Sequence, residues 1–430
     1  MTQRSRSDRI ALVLFVLATA GGVFMYGVAV GHFQWFPFSV LEQLHDATRM
    51  AVTGESDSWY VRQVDHGFEG PVRRGDGARA GLNLVTRFES ETEFRAEILD
   101  MDGALVHQWA VDWFDVWPDA DHLPEQRIPR ERPGTHIHGA VVLPDGDLVY
   151  NYEHLGLVRL DRDGEVVWRL PYPTHHSVHL DEAGNLWVSG QIDHESPVDR
   201  FPQRSPPFSE YTALEVSPDG EILSEWSVSR ILEENDLGGL LHLGTTANRD
   251  LGVGGADILH LNDVEPFPDS LAEGVFRRGD VMVSLRNINT VLVFDRESRE
   301  IRHIATGRFV RQHDPDFLDG NRYSVYDNNN IAPEARGSRS RIVILDARDG
   351  SVTTWFEGGP DVPFYSDIMG KHQWLPDGHL LVTESMQGRA VEIDASREVV
   401  WEYVNQVRPG TVGIVEEVQR LPAGFEAIYR

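Results

Sequence analysis

Five histidines occupy the same place in a repeated sequence unit: His138, His176, His260, His313 and His372. Each lies a few residues ahead of a strand-and-turn unit, and in four of the five a turn of the Asp-Gly type follows closely. Histidine is uncommon, so this regular placement is hard to assign to chance. If the units are symmetric blades around an axis, the imidazoles converge there. The spacing therefore predicts a ring of histidines as the active site.

Imidazoles that are close together and shielded from water can be tuned near neutral pH. Two kinds of chemistry stay open at this point. Three or more neutral imidazoles can bind a transition metal with an open position for water. Alternatively, one imidazole is a nucleophile or base, while the others and an arginine stabilise anionic charge.

Arg286 favours the second kind of chemistry. It ends a predicted strand beside the His260 strand, and a guanidinium there opposes cation binding and favours an anion such as sulfate or phosphate. Asn262, two residues after His260, would point the same way on a strand and could donate to an oxyanion. Asp314 follows His313 directly, but adjacent strand residues face opposite sides, so it is a weak candidate to orient that imidazole.

The elements that must position these residues are short strands with turn signals, which begin near residue 81 and fall into six groups. The groups are about 35 to 60 residues long, a period typical of the four-stranded blades of a β-propeller. We predict an all-β fold: a six-bladed β-propeller over residues 81–430, with a pair of β-sandwiches as the alternative. The first group lacks an inner strand, so we expect residues 415–424 to supply it and close the ring.

Turn-rich insertions interrupt the strand pattern and should gather over one end of the central channel, where they can form the walls of a site. They span residues 112–135, 191–207, 230–256, 328–337 and 357–370.

Composition excludes several function classes. The 430 residues carry a formal net charge of −29, which argues against a nucleic-acid partner. The chain has no cysteine, so thiol nucleophiles, disulfides and zinc-thiolate sites are excluded. Lys371 is the only lysine, which makes a phosphate-binding loop or Schiff-base chemistry elsewhere untenable.

Residues Ile10 to Val30 are uncharged and mostly apolar, and they are long enough to cross a bilayer as a helix. Basic residues precede this run and should stay cytoplasmic, aromatic residues follow it as an interfacial belt, and the C-terminal part should be exported. A cleaved signal peptide, with Ala18–Ala20 as its small-residue site, is the alternative. The apolar run continues past that site, which favours an uncleaved anchor. We expect residues 1–38 to form the cytoplasmic tip and anchor. Residues 39–80 should be a linker with one short helix near Val40–Met50. The basic residues before the apolar run are Arg4, Arg6 and Arg9, and the aromatic residues after it are Phe33, Trp35, Phe36 and Phe38.

Several ordered motifs in this chain resemble the bacterial arylsulfate sulfotransferases, and the resemblance covers about residues 135–404. They are THHSVHLDEAGNLWV at 174–188, ILHLNDV at 258–264, VSLRNINTV at 283–291, RQHDP at 311–315 and YSVYDN at 323–328. The resemblance implies an exported six-bladed propeller that moves a sulfuryl group from a phenolic sulfate to a phenol without a nucleotide donor.

Carried over residue by residue, the resemblance implies His313 as the nucleophile, with His260 and Arg286 as its channel partners. The family's first histidine falls on the pair His175-His176, of which we choose His176. It implies a sulfo-histidine intermediate on His313, with the other three holding the sulfuryl oxygens or handling the leaving-group proton. We expect substrate-binding roles for His138, His175, Asn262 and His372.

The sequence thus predicts an enzyme anchored in the inner membrane, with its propeller on the periplasmic or extracytoplasmic side. Its partners should be an aryl sulfate and a phenol, with no cofactor, metal or nucleic acid, and its oligomeric state stays open. Better-known members of the family carry a separate N-terminal β-domain, and we expect residues 39–80 to be too short for one. Two alternatives stand beside this reading: a non-catalytic propeller that binds a ligand or protein, and a metal-dependent hydrolase.

Overall fold

A computed structural model describes residues 6–33, 58–64, 66–67, 70–201, 204, 206–243, 257–330, 339–359 and 362–429. The chain divides into two compact units, Met1–Val61 and Arg62–Arg430. In the first unit, helix α1 (Arg6–Phe33) contains the apolar stretch Ile10–Val30, whose mean hydropathy is 2.1. At 1.5 Å per residue this stretch is about 31 Å long, the thickness of a bilayer core. It can serve as a membrane span or as a signal sequence.

Some N-terminal predictions fall outside the described residues. These are the short helix near Val40–Met50 and the flanking residues Arg4, Trp35, Phe36 and Phe38.

The second unit is mostly β-structure. Its strands up to residue 227 are β1 (Val61–Gln63), β2 (Val72–Arg74), β3 (Asn83–Ser90), β4 (Glu93–Leu99), β5 (Leu105–Ala110), β6 (Ile137–Val142), β7 (Leu148–Tyr152), β8 (Gly156–Leu160), β9 (Val166–Leu170), β10 (Thr174–Leu180), β11 (Leu186–His194), β12 (Phe208–Val216) and β13 (Ile222–Ser227). The later strands are β14 (Leu261–Pro266), β15 (Asp280–Leu285), β16 (Thr290–Asp295), β17 (Ile301–Thr306), β18 (His313–Phe317), β19 (Arg322–Asp327), β20 (Arg341–Asp346), β21 (Ser351–Glu357), β22 (Lys371–Trp374), β23 (Leu380–Glu384), β24 (Arg389–Ile393), β25 (Val399–Val404), β26 (Gln406–Arg408), β27 (Thr411–Gly413) and β28 (Val415–Arg420).

Helices in this unit are short. The α-helices are α2 (Trp113–Val116), α3 (Val228–Glu234) and α4 (Glu426–Tyr429), and the 3₁₀ turns are Glu125–Arg127, Gly238–His242, Arg286–Ile288, Pro376–Gly378 and Ser385–Gln387.

The strands pair into antiparallel sheets that follow the chain, an arrangement typical of propeller blades. Four sheets use consecutive strands: β6–β9, β10–β13, β14–β17 and β18–β21. A fifth has the order β2-β25-β24-β23-β22, and a sixth has the order β28-β3-β4-β5. Strands β1, β27 and β26 form a small three-stranded sheet.

Two pairings join segments that are far apart in sequence. The C-terminal strand β28 pairs with β3, with Val418 opposite Val85. Strand β2 pairs with β25, with Val72 opposite Tyr403. Residues 72–74 lie in the segment predicted as a linker, yet they extend a sheet, because β25 offers them an unpaired edge.

The first strands of successive sheets contact one another. Strand β6 contacts β10, β10 contacts β14, β14 contacts β18, and β18 contacts β22; β28 contacts both β22 and β6. Apolar side chains fill the spaces between adjacent sheets: Trp187 stacks on Trp226, which packs against Phe294 of the next sheet. Because both faces of each sheet are covered, no single sheet is stable alone.

Candidate active site

A β-bulge recurs near the start of five of these first strands. The register shifts in β6 at His138–Gly139, in β10 at His176–Ser177, in β14 at Asn262, in β18 at Asp314–Pro315 and in β28 at Glu416. A bulge bends its strand and re-aims a side chain. His176 and Asp314 accordingly have positive φ angles of 58° and 49°, and His260, just before β14, has 52°.

Gly139 allows two of these bulges to approach each other. A Cβ atom at this position would lie 2.1 Å from the carbonyl oxygen of His176, far inside van der Waals contact. Asn151 joins the two backbones: its Nδ2 donates to the His176 carbonyl (2.8 Å), and its Oδ1 accepts from Gly139 N–H (3.2 Å). The glycine after His138 is therefore a requirement of the close packing of β6 on β10.

The re-aimed side chains enclose a cavity of about 10 Å³, room for about one water molecule. Its lining residues are His138, His176, Ser177, Asn262, His313, Asp314, Met369, Gly370, Lys371 and Glu416. Ring centroids of His138 and His176 are 4.1 Å apart, and the His176 ring lies 4.9 Å from His260 and 6.5 Å from His313. Four of the five repeated histidines thus meet at one place.

The tautomer of His313 follows from its surroundings. Asn328 Nδ2 donates to the carbonyls of Ser366 (3.0 Å) and Met369 (2.7 Å), so its Oδ1 faces His313 Nδ1 at 2.7 Å. The carbonyl of Arg311 is a second acceptor, 3.1 Å from the same nitrogen. Two acceptors require a proton on Nδ1, so the neutral ring carries its lone pair on Nε2. That nitrogen is buried with no hydrogen-bond partner among the described residues.

The lowered pKa of His313 keeps its ring neutral, so that the lone pair on Nε2 stays free. Burial, and then the positive charge of Arg286, hold the pKa of His313 well below its ordinary value. Burial likewise lowers the pKa of Arg286, which is half-buried, and its backbone N–H donates to the carbonyl of His260 (3.0 Å). A neutral imidazole at pH 7 is the nucleophilic form of the ring.

His260 belongs to a chain of three polar groups. Its Nδ1 donates to Asp257 Oδ2 at 2.6 Å, and the hydroxyl of Tyr211 donates to Asp257 Oδ1 at 2.5 Å. Burial lowers the pKa of His260, and Asp257 partly opposes that shift. The Nε2 atom of His260 is buried and has no hydrogen-bond partner in the part of the chain that the structure describes. A carboxylate-oriented imidazole with one free nitrogen is suited to taking up and returning a proton.

Glu153 lies between two more imidazoles. Its Oε2 accepts from His138 Nδ1 at 2.5 Å, and its Oε1 lies 2.9 Å from His154 Nε2. Burial opposes ionisation, but the neighbouring His138 and His154 outweigh it, and the pKa of Glu153 lies well below its ordinary value. Burial also opposes a charge on His154, yet Glu153 raises the pKa of that histidine.

The adjacent pair His175-His176 separates into two roles. Their Nδ1 atoms are 2.8 Å apart, so one nitrogen donates to the other and the two tautomers are coupled. His176 lines the cavity, whereas His175 lies behind it, with ring centroids 4.8 Å from His154 and 5.6 Å from Tyr211. Burial keeps the pKa of both histidines well below the ordinary value.

Glu416 adds a carboxyl group to the cavity wall. Its side chain is fully buried, neither oxygen has a hydrogen-bond partner among the described residues, and the imidazole nitrogen His136 Nε2 is 3.9 Å away. Burial raises the pKa of Glu416 well above its ordinary value. Burial therefore favours the protonated acid form of this group, which can donate a hydrogen bond.

Two predicted residues lie differently from expectation. Asn262 lines the cavity, but its Nδ2 donates to the carbonyl of Gln312 (2.8 Å), and its Oδ1 is buried with no partner among the residues described here. His372 lines a separate cavity, where its Nδ1 lies 3.0 Å from Asp314 Oδ2 and its Nε2 lies 2.7 Å from Ser324 Oγ. Strand β22 has no bulge, so its histidine is not turned toward the other four.

The second cavity, of about 230 Å³, has seven ionisable side chains in its wall: His179, Glu265, Asp314, Asp316, Lys371, His372 and Glu417. Burial raises the pKa of Glu265 to about 8, and the neighbouring Asp263 carboxylate adds to the rise. Within the described ranges, three groups of side chains could hold a metal ion by their spacing: His136 with His138 and Glu153, His179 with Asp263 and Asp314, and Asp314 with Asp316 and His372.

Several residues at the site were not found from the sequence. Asp257 and Glu153 lie outside the repeated histidine positions, and Glu416 comes from the far C-terminus. Asn328 could have been found from the sequence, because it comes directly after the strand that pairs with the His313 strand. The predicted Asp314 role is also different: Asp314 contacts His372 on the neighbouring strand β22, not His313.

Comparisons with known proteins address the family and the fold. The family model described as "Arylsulfotransferase (ASST)" matches residues 139–406. No curated protein matches this sequence. A protein of unknown function from Bacteroides caccae is 14% identical with a TM-score of 0.50, covering 79% of this chain and 98% of that chain. Virginiamycin B lyase from Staphylococcus aureus is 10% identical (TM-score 0.37; 78% and 88% covered). The Cps50 (Swd1) β-propeller domain of Myceliophteria thermophila is 8% identical (TM-score 0.39; 80% and 89% covered).

The family match covers more than half of the chain and includes the strands that carry His176, His260, Arg286 and His313. This chain belongs to the arylsulfotransferase family.

Proposed function

We propose that this protein transfers a sulfuryl group from an aryl sulfate to a phenol, without a nucleotide donor, through a sulfo-histidine on His313. The observation that carries the proposal is the locked tautomer of His313. Asn328 and the Arg311 carbonyl hold the proton on Nδ1, which leaves a buried lone pair on Nε2 that no described residue engages. The family match supports a sulfotransferase-like activity.

In the same proposal the six larger sheets form a six-bladed propeller around this site. The support is the cyclic order of contacts between first strands, from β28 through β6, β10, β14 and β18 to β22 and back to β28. The pairing of β28 with β3 would then join the two ends of the chain within one blade.

In the first half-reaction, His313 Nε2 attacks the sulfur of the donor, the N–S bond forms, and the S–O bond to the phenol breaks. The phenolate leaves opposite the imidazole. If His260 Nε2 carries a proton, it passes that proton to the phenolate oxygen, so the products are a sulfo-imidazole, a neutral phenol and a neutral His260. Asp257 holds the ring for this transfer.

In the second half-reaction, neutral His260 takes the proton of the acceptor phenol, whose oxygen attacks the sulfur. The N–S bond breaks, and its electron pair returns to His313 Nε2. Arg286, His176 and the acid form of Glu416 supply positive charge or hydrogen bonds for the sulfuryl oxygens. His138 and Asn262 complete the pocket, and His175 supports His176 from behind it. Because the cavity takes about one water molecule, the donor must displace side chains to reach the nucleophile.

The N-terminal helix suggests where this reaction occurs. We propose that α1 is an uncleaved inner-membrane anchor and that the β-sheet unit lies on the periplasmic or extracytoplasmic side. Arginines at positions 6 and 9 before the apolar stretch support this orientation. Fractionation with intact-mass analysis tests it: the full-length mass should remain in carbonate-washed membranes, and a product shortened near Ala20 would contradict it.

The direct test is intact-mass spectrometry after addition of p-nitrophenyl sulfate alone. We expect an adduct of about 80 Da, one sulfuryl group, that disappears when a phenol is added. His313→Ala should form no adduct. His303→Ala is the matched control, because that imidazole lies on an outer strand with its Nε2 3.2 Å from the Tyr323 hydroxyl.

Product analysis separates transfer from hydrolysis. A transferase should produce the acceptor's sulfate ester in proportion to p-nitrophenol, whereas a hydrolase should release inorganic sulfate in the absence of a phenol. Turnover by His313→Ala at the wild-type rate, or free sulfate as the only product, would overturn the proposal.

A further inference from the structure

Three neighbouring strands carry a second set of ionisable side chains, one step along the channel from the histidine cluster. His179 follows His176 by three residues, and Asp263 follows His260 by three residues. On a regular strand, residues three apart face opposite sides. Here a bulge lies within each interval, at His176–Ser177 and Asn262, so both residues of each pair can face the interior.

We propose that His179, Asp263 and Asp314 bind one divalent transition-metal ion, such as Zn²⁺ or Mn²⁺, beside the second cavity. One possible ligand atom from each lies within 4.8 Å of the other two. His179 Nε2 and Asp263 Oδ1 are 2.9 Å apart, close to the spacing of about 3 Å between adjacent ligands of one ion.

One carboxylate oxygen of Asp263 lacks a partner. Asp263 is completely buried, and its Oδ2 has no hydrogen-bond partner among the described residues. A buried carboxylate oxygen without a donor is costly. A metal ion bridging to Asp314 would remove that cost, because a dication coordinates the oxygen directly.

Hydrogen bonds occupy one of the two carboxylate oxygens of Asp314. Its Oδ2 accepts from the backbone N–H of His372 at 2.5 Å and lies 3.0 Å from His372 Nδ1. The opposite nitrogen of that ring, Nε2, is 2.7 Å from Ser324 Oγ, so the hydroxyl donates there and the proton resides on Nδ1. The two donors fix Asp314 and leave its Oδ1 for the ion, which is the usual role of an outer hydrogen-bond partner of a metal ligand.

The oxygen atoms around this position favour a cation. Carboxyl groups of Asp263, Glu265, Asp314, Asp316 and Glu417 surround it, and the single lysine, Lys371, pairs with Glu417. The mixed imidazole and carboxylate donors favour a transition-metal dication over Ca²⁺, which prefers six to eight oxygens. The rival reading is a metal-free His179–Asp263 ion pair.

The test uses the untagged full chain in detergent. Metal content is measured as purified, after chelator treatment, and after refilling with Zn²⁺, Mn²⁺ or Ca²⁺. We expect one Zn²⁺ or Mn²⁺ per chain and a rise in Tm on refilling. Asp263→Asn and His179→Gln should each lose the ion and the rise in Tm, with far-UV circular dichroism showing that they fold.

The matched control is Asp280→Asn, on the strand paired with β14. Asp280 is fully buried, but Arg302 Nε lies 2.6 Å from its Oδ2. This variant should keep one ion per chain. Loss of the ion in His138→Gln with retention in Asp263→Asn would place it in the other histidine cluster and overturn the proposal, as would a chain that takes up no ion at all. The sulfuryl adduct on His313, measured in parallel, reports separately on the proposed transferase activity.

Discussion

Glu153 Oε2 accepts a hydrogen bond from His138 Nδ1 across 2.5 Å, and the centroid of the His138 ring lies 4.1 Å from that of His176. A carboxylate behind an imidazole fixes both its tautomer and its orientation. Glu153 thus acts on the cavity through a ring that lines it, although it is absent from the cavity wall itself.

Glu153→Gln should lower kcat/KM for aryl sulfate transfer by about 10- to 100-fold, the range typical of losing a group that orients a reactive imidazole. The amide keeps the shape but loses the charge that raises the pKa of His154. Steady-state kinetics measure the effect. Glu165→Gln, on an exposed hairpin turn, is the control and should leave kinetics unchanged. Equal kinetics for both variants would show that Glu153 is only structural.

Asn328→Ala should slow formation of the sulfo-histidine by about 10- to 100-fold, because the proton of His313 is then free to move to Nε2 and block the lone pair. The rate is read from the burst of p-nitrophenol in the first turnover. Asn329→Ala, at the next residue, removes a hydrogen bond to the Arg339 carbonyl and should leave the burst intact. An unaltered burst in Asn328→Ala would refute tautomer control.

Gly139→Ala should destabilise the fold and abolish transfer, because the new Cβ would lie 2.1 Å from the His176 carbonyl oxygen and force β6 away from β10. We expect a cost of about 1 to 3 kcal/mol from overpacking, measured by thermal or denaturant unfolding. Gly239→Ala is the matched control, because nothing lies within 4 Å of its added Cβ. Equal stability of the two variants would contradict the close approach.

His136→Gln should become more stable relative to the wild type as the pH falls. Burial lowers the pKa of His136 to about 3, so between about pH 6.5 and 3 the unfolded chain binds a proton that the folded chain does not. The stability contributed by this neutral histidine is complete above pH 6.5 and is lost on acidification. The predicted change is about 1.4 kcal/mol per pH unit, an upper value.

Denaturant unfolding of both proteins at pH 7.5 and pH 5 measures this difference. Because the comparison is with the wild type, the opposite shifts of buried carboxyls such as Glu265 cancel. Between pH 7.5 and 8.5 the difference should stay constant. A difference that does not change between pH 7.5 and pH 5 would show that His136 is protonated in the folded chain.

The sequence by itself determined the elements that depend on local pattern. Alternating apolar residues and Asp-Gly turns are short-range signals, and they predicted mostly β-structure. The continuous apolar run Ile10–Val30 predicted the long N-terminal helix. The repeated histidines could be read directly from their spacing. The ordered motifs around His176, His260, Arg286 and His313 also identified the family, which the match over residues 139–406 confirms.

Only the tertiary structure decided which side chains meet. The alternation of a regular strand predicts that His260 and Asn262 face the same side. The bulge at Asn262 and the positive φ of His260 change the direction of the side chains that follow, so Asp263 also points inward. Glu153, Asp257 and Glu416 reach the histidine cluster from other strands and loops, and no local pattern encodes those distances. The tautomer of His313 likewise depends on Asn328, which is itself fixed by two carbonyls of a distant loop.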